Sequence, residues 1–170
     1  MVMGKFYRIL IVLLLMTFRP VSLSVMAKSP EKYVMPTYDI VCCGEGVEGT
    51  YLAKVSVYLE KPDRDAEDNL VMAAVHGVMF RGMSAGEECK GQRAMISDAD
   101  VEQKKADFFE GLFGANAAYR SYASLVAETI SVTKVSKKQY LVSGKVSVKK
   151  DELRKLLEKE KIIQGFNDLF

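Results

Sequence analysis

From Val142 to Lys149 the chain alternates without a break. Val142, Gly144, Val146 and Val148 fall on one side, and Ser143, Lys145, Ser147 and Lys149 on the other. Successive side chains of an extended strand point to opposite faces, so this segment can bury one face only as a β-strand. Residues 50–59 repeat the pattern, with Tyr51, Ala53, Val55, Val57 and Leu59 opposite Lys54, Ser56 and Tyr58. Each strand has a neighbour to pair with. The apolar run 38–43 precedes the first across the glycine-containing turn 44–49, and residues 125–135 precede the second across Ser136-Lys137-Lys138. The sequence therefore predicts two β-hairpins.

Helices fall between and after them. Asp65 is a candidate N-cap, with Asp68 three residues on. Leu70, Val71, Ala74, Val75 and Val78 then recur at helical spacing up to a stop at Gly82. Residues 83–96 read as a long loop with a short strand at 93–96. A second helix is expected from Ser97 to Gly114, with Val101, Lys105, Phe108, Phe109 and Leu112 on its inner side; residues 115–123 fit either helix or loop. Asp151 opens a last helix with a Leu153, Leu156, Leu157 stripe, and Gly165 lies past its end. The order is hairpin, helix, helix, hairpin, helix. Helices that follow strand pairs imply an α+β fold: a two-layer sandwich with an antiparallel sheet from two β-hairpins and helices on one face.

Residues 1–27 read as a secretory signal peptide. Lys5 and Arg8 precede an apolar run, residues 9–18, that is half the roughly twenty residues needed to span a bilayer. Val25-Met26-Ala27 offers a cleavage site, with Ser22-Leu23-Ser24 as the alternative. Residues 28–37 are then a polar lead-in, and residues 38–170 one α+β domain. The expected location is outside the cytoplasm, periplasmic or secreted, with no transmembrane segment after cleavage. The whole chain has a formal charge of +2, but residues 1–27 carry Lys5, Arg8 and Arg19 and no acidic residue; what remains has 21 basic and 22 acidic residues. A near-neutral domain lacks the electrostatic footprint of a nucleic-acid binder.

Three cysteines, Cys42, Cys43 and Cys89, would face an oxidising compartment. The plainer reading makes them small apolar strand residues and an unpaired loop thiol. The alternative is a structural disulfide to Cys89. On a strand only one of the adjacent pair can meet Cys89 easily, and Cys43–Cys89 is the candidate bridge. Adjacent cysteines lack the spacer of a redox motif, and they do not by themselves make a zinc site.

Gly44-Glu45-Gly46-Val47-Glu48-Gly49 matches the dinucleotide-binding glycine pattern, which requires a helix to follow. Here the β-patterned residues 50–58 follow, so a hairpin turn explains the glycines. His76 is the only histidine, and it sits among Met72, Ala73, Met79 and Phe80. It is the one candidate general base, and a buried helix histidine is the competing reading. No cofactor-binding or metal-ligand set is assigned. Phe108, Phe109 and Leu112 read as core. Tyr119 and Tyr122, around Arg120, are candidates for an exposed partner patch, as are Phe166 and Phe170 at the C-terminus.

Gly49-Thr50-Tyr51-Leu52-Ala53-Lys54-Val55, Ala74-Val75-His76-Gly77-Val78-Met79-Phe80-Arg81-Gly82 and Asp151-Glu152-Leu153-Arg154-Lys155 leading to Ile162-Ile163 resemble segments of uncharacterised exported proteins of Gram-negative bacteria. The element order also resembles that of small accessory modules of flagellar and curli-type outer-membrane assembly. An exported, near-neutral α+β domain with no assembled catalytic set is expected to be a non-enzymatic module that binds another envelope protein. A small-molecule or glycan-processing or -binding domain, and a self-assembling subunit with an exposed edge strand, are the alternatives. A homo-oligomer is compatible with all three.

Overall fold

The computed structural model describes residues 33–62, 65–86, 89–98 and 100–165. The signal-peptide expectation, most of the lead-in, Phe166 and Phe170 lie outside these residues. The order is β1 (Tyr38–Glu45), β2 (Tyr51–Leu59), α1 (Ala66–His76) extended by a π-helical turn (Gly77–Arg81), α2 (Val101–Lys104), α3 (Ala106–Phe113), a 3-10 turn (Ala118–Ser121), β3 (Ala123–Leu125), β4 (Ser131–Ser136), β5 (Gln139–Val148) and α4 (Lys150–Lys159). All strand pairs are antiparallel, and the sheet runs β1-β2-β5-β3, with β4 also on β5. The fold is α+β, as the alternation predicts.

The alternation decides which face is buried. Ala53, Val55 and Val57 on β2, and Val142, Val146 and Val148 on β5, are fully buried beneath α1. Gly144 continues the inward face of β5. A Cβ there would lie 3.0 Å from Leu70 Cδ1 of α1 and 3.0 Å from Leu125 Cδ1, so the missing side chain lets the helix sit against the sheet. Burial extends around α1 further than its stripe implies, because Met72 and Ala73 are buried as well. Phe109, Leu112 and Phe113 of α3, with Leu153 and Leu157 of α4, complete the core.

Three expected boundaries shift. Residues 93–96 form no strand; the loop instead folds on itself through a Met83–Gln92 bridge. The expected 97–114 helix is two pieces, because Lys105 leaves helical geometry at φ −118°. The expected 125–135 strand is interrupted. Between the pairs Leu125–Val146 and Ser131–Ser143, one chain advances from 125 to 131 while β5 moves only from 146 to 143, so residues 126–130 bulge out. Thr129 stabilises the break by accepting the Lys145 N–H through its hydroxyl, at 3.0 Å.

The disulfide joins Cys42 to Cys89, with their Cα atoms 5.9 Å apart, and Cys43 is free. This corrects both the plainer reading, in which Cys89 is an unpaired loop thiol, and the candidate Cys43–Cys89 bridge. Tyr38, Ile40 and Cys42 point into the core, whereas Asp39, Val41 and Cys43 take the opposite face. Cys89 approaches from the core side, and the period of two excludes Cys43 from it.

Candidate functional site

Three places on the fold concentrate chemistry: the surroundings of His76, the open face of the sheet, and the outer edge of β4.

His76 ends α1 where the helix widens into its π turn, a feature often found at functional positions. Gly77 permits this placement, since a Cβ there would lie 3.0 Å from Ile40 Cδ1 and 3.2 Å from the Tyr38 ring. The Tyr38 hydroxyl lies 2.7 Å from His76 Nδ1, and Glu102 Oε1 lies 3.8 Å from Nε2. The partners set the tautomer: a carboxylate only accepts, so Nε2 carries the proton toward Glu102 and Nδ1 accepts from Tyr38. Phe80 and Phe113 flank the ring at centroid distances of 4.7 and 5.6 Å.

Burial, foremost, holds the His76 pKa below its ordinary value; the Arg81 guanidinium adds to this and the Glu102 carboxylate opposes it. Burial likewise pushes Tyr38 up to about 12, against the influence of Arg81. Arg81 lies 4.7 Å over the Tyr38 ring and donates to the Tyr38 carbonyl at 2.9 Å. Tyr33 donates its hydroxyl to Glu102, and its N–H reaches Glu110 at 3.1 Å. The Tyr38–His76, Tyr33–Glu102 and Tyr33–Glu110 hydrogen bonds strap residues 33–38 across the helices, with the Glu102 carboxylate an ionic neighbour of Nε2 beyond hydrogen-bond distance. A shallow cavity of about 310 Å³ beside it is lined by Met35, Pro36, Thr37, Tyr38, His76 and Arg81.

The face of the sheet turned away from α1 carries a larger cavity, about 710 Å³, lined by Asp39, Val41, Cys43, Lys54, Ser56 and Lys145 among others. Lys54 and Lys145 are direct partners in the β2–β5 register. On the next rung the Ser56 and Ser143 hydroxyls are 2.7 Å apart.

The two outer edges of the sheet differ. Along β1, the Cys42 N–H donates to the Ser84 carbonyl at 2.9 Å, and the Ser84 hydroxyl donates to the Ile40 carbonyl at 3.0 Å. The disulfide and a Gly44 N–H to Cys89 Sγ contact at 3.0 Å pin this clasp. Strand β4 has no such cover. All its residues are exposed, and among the described residues it pairs only with β5. Of the exposed large apolar residues Val34, Val47, Val126, Ile130, Val132 and Val135, the last four lie on β4 or the bulge before it. Lys145 turns its N–H and C=O toward this side of β5, to Thr129 and Val126. By antiparallel alternation Ser143 and Leu141 do the same, so their partners Ser131 and Thr133 point inward. The backbone groups of Val132 and Lys134 therefore face outward.

The expected tyrosine patch is corrected. Tyr119 is 4 % exposed and stacks on Phe113 at 6.3 Å, because the 3-10 turn folds it back. Arg120 lies over its ring at 5.8 Å and forks onto Asp68 at 2.8 and 2.5 Å, which locks the turn to α1. Tyr122 is half-buried against the same core. The glycine pattern at 44–49 lies in the first hairpin, with β2 directly after it.

Among the described residues there is no cluster of three or more His, Cys, Asp or Glu that could hold a metal, and no helix long and apolar enough to cross a membrane. Comparison with family models, curated proteins and solved structures found no match.

Proposed function

We propose that this protein is a non-enzymatic module of the bacterial cell envelope that binds another envelope protein by adding one of that protein's strands to β4. The observation that carries this reading is the contrast between the two sheet edges. An unpaired edge is a template for another chain, and native proteins usually cover or blunt it. The β1 edge is clasped, while β4 offers outward backbone groups at Val132 and Lys134 flanked by exposed Ile130, Val132 and Val135. In strand addition the main chain supplies affinity and alternate side chains supply specificity. Charge indicates the occupant: Lys134, Lys137 and Lys138 line the strand and its turn, opposed only by Glu128, so an extended segment carrying acidic residues fits.

The test is site-specific photo-cross-linking at Val135, an exposed residue of β4, in intact cells, with Val132→Pro introduced alongside it as control. Proline removes an outward N–H without breaking a β4–β5 bond. The expected result is one recurrent stoichiometric envelope protein, cross-linked through an acidic extended segment and lost in V132P. Ladders of the chain itself would replace this reading with self-assembly. A monomer without partner would overturn it.

A further inference from the structure

Lys54 and Lys145 face each other across the two central strands. Like charges directly opposite on a sheet are destabilising. No carboxylate among the described side chains pairs with either lysine. Among the described residues the fold thus sets two cations side by side without an ion-pair partner within 4 Å, where one neutral residue would be more stable.

Their surroundings form a recess of about 710 Å³, within the roughly 300–1,000 Å³ of ligand pockets. Its floor is strand and its wall is the clasp at Ala85 and Gly86. The Cys42–Cys89 disulfide ties this wall to β1, and Gly86 lies so close to the Cys42 carbonyl that a Cβ would overlap it. Asp39, the register partner of Ser56, brings a carboxylate to the same recess. Val41 and Ala85 add an apolar surface.

We infer that this recess binds an anionic sugar. The lysine pair takes a carboxylate or phosphate, by the charge-assisted bonds that two adjacent ammonium groups provide. Asp39 and Ser56 bond to hydroxyls, an acceptor that a bare anion would not need. Val41 and Ala85 take an apolar C–H face of the ring. The site is separate from β4 and does not depend on the strand-addition reading.

The purified protein is titrated with glucuronate, glucose 6-phosphate, glucose and inorganic phosphate while backbone amide NMR shifts are recorded. The expected result is saturable shifts at Asp39, Val41, Lys54, Ser56 and Lys145 with one of the two anionic sugars. Glucose and phosphate should each bind about tenfold or more weakly. Which sugar binds distinguishes a sugar acid from a phosphorylated sugar. Lys54→Met and Lys145→Met should each weaken binding about tenfold or more while raising the melting temperature, a combination that general damage would not produce. Lys54→Arg should retain binding. Phosphate binding as tightly as either sugar, shifts located elsewhere, no saturable shift, or unchanged affinity in both methionine variants would overturn the inference.

Discussion

Removing the Cys42–Cys89 bridge should reveal how much of the stability rests on one covalent tie. The bridge closes a loop with a sequence separation of 47 residues. Chain-entropy reasoning for a loop of that length gives about 4 kcal/mol at 25 °C. That is a large share of the roughly 5–15 kcal/mol typical of a folded domain. The double variant Cys42→Ala/Cys89→Ala removes the tie and leaves two small apolar residues. Its loss should reach about 3–4 kcal/mol, since residual structure in the unfolded chain reduces the entropic effect. The assay is equilibrium urea unfolding with and without reductant. Wild type should lose stability on reduction and the double variant should not respond. Amides of residues 40–44 and 83–92 should also exchange faster, because the clasp over β1 is released. A loss under 1 kcal/mol, or a reductant effect that persists in the double variant and vanishes in Cys43→Ser, would refute the assigned pairing.

Cys43→Ser alone should leave the unfolding midpoint within about 0.5 kcal/mol of wild type and abolish any covalent dimer on non-reducing gels, because Cys43 is the free thiol on the sheet's outer face. Gly144→Val should cost about 1–3 kcal/mol in urea unfolding by overpacking, since its Cβ would crowd Leu70 and Leu125 at 3.0 Å; a neutral result would mean α1 can lift freely. The pH dependence follows from His76, whose pKa is held below 6.5 by burial first and then by Arg81, against Glu102. The unfolded chain takes up that proton first, so the His76 contribution is complete above 6.5 and is lost as pH falls toward the lowered folded value. His76→Gln should flatten this stretch of the stability–pH curve, and an unchanged slope would show that other groups carry it.

The sequence by itself determined the two central strands and which of their faces is buried. Alternation at 50–59 and 142–149 placed Ala53, Val55, Val57, Val142, Val146 and Val148 inward, because a one-residue slip would turn every one of them to water. Composition and spacing also located α1 and the α4 stripe. Tertiary structure decided what depends on pairing between segments distant in the chain. The opposition of Lys54 and Lys145 follows from β2 lying beside β5, which no local pattern encodes. Alternation limits Cys89 to one of two adjacent thiols, but only the side from which the 83–92 clasp arrives selects Cys42. Tyr119 and Tyr122 looked alike in a polar stretch until the 3-10 turn folded Tyr119 onto Phe113. The bulge at 126–130 is invisible in a segment rich in β-formers, because it is held by bonds of the Thr129 hydroxyl and the Val126 N–H to Lys145 of β5, a residue brought there only by the fold. Periodicity reports which way a side chain points, whereas register and close approach are set by what the rest of the chain brings to meet it.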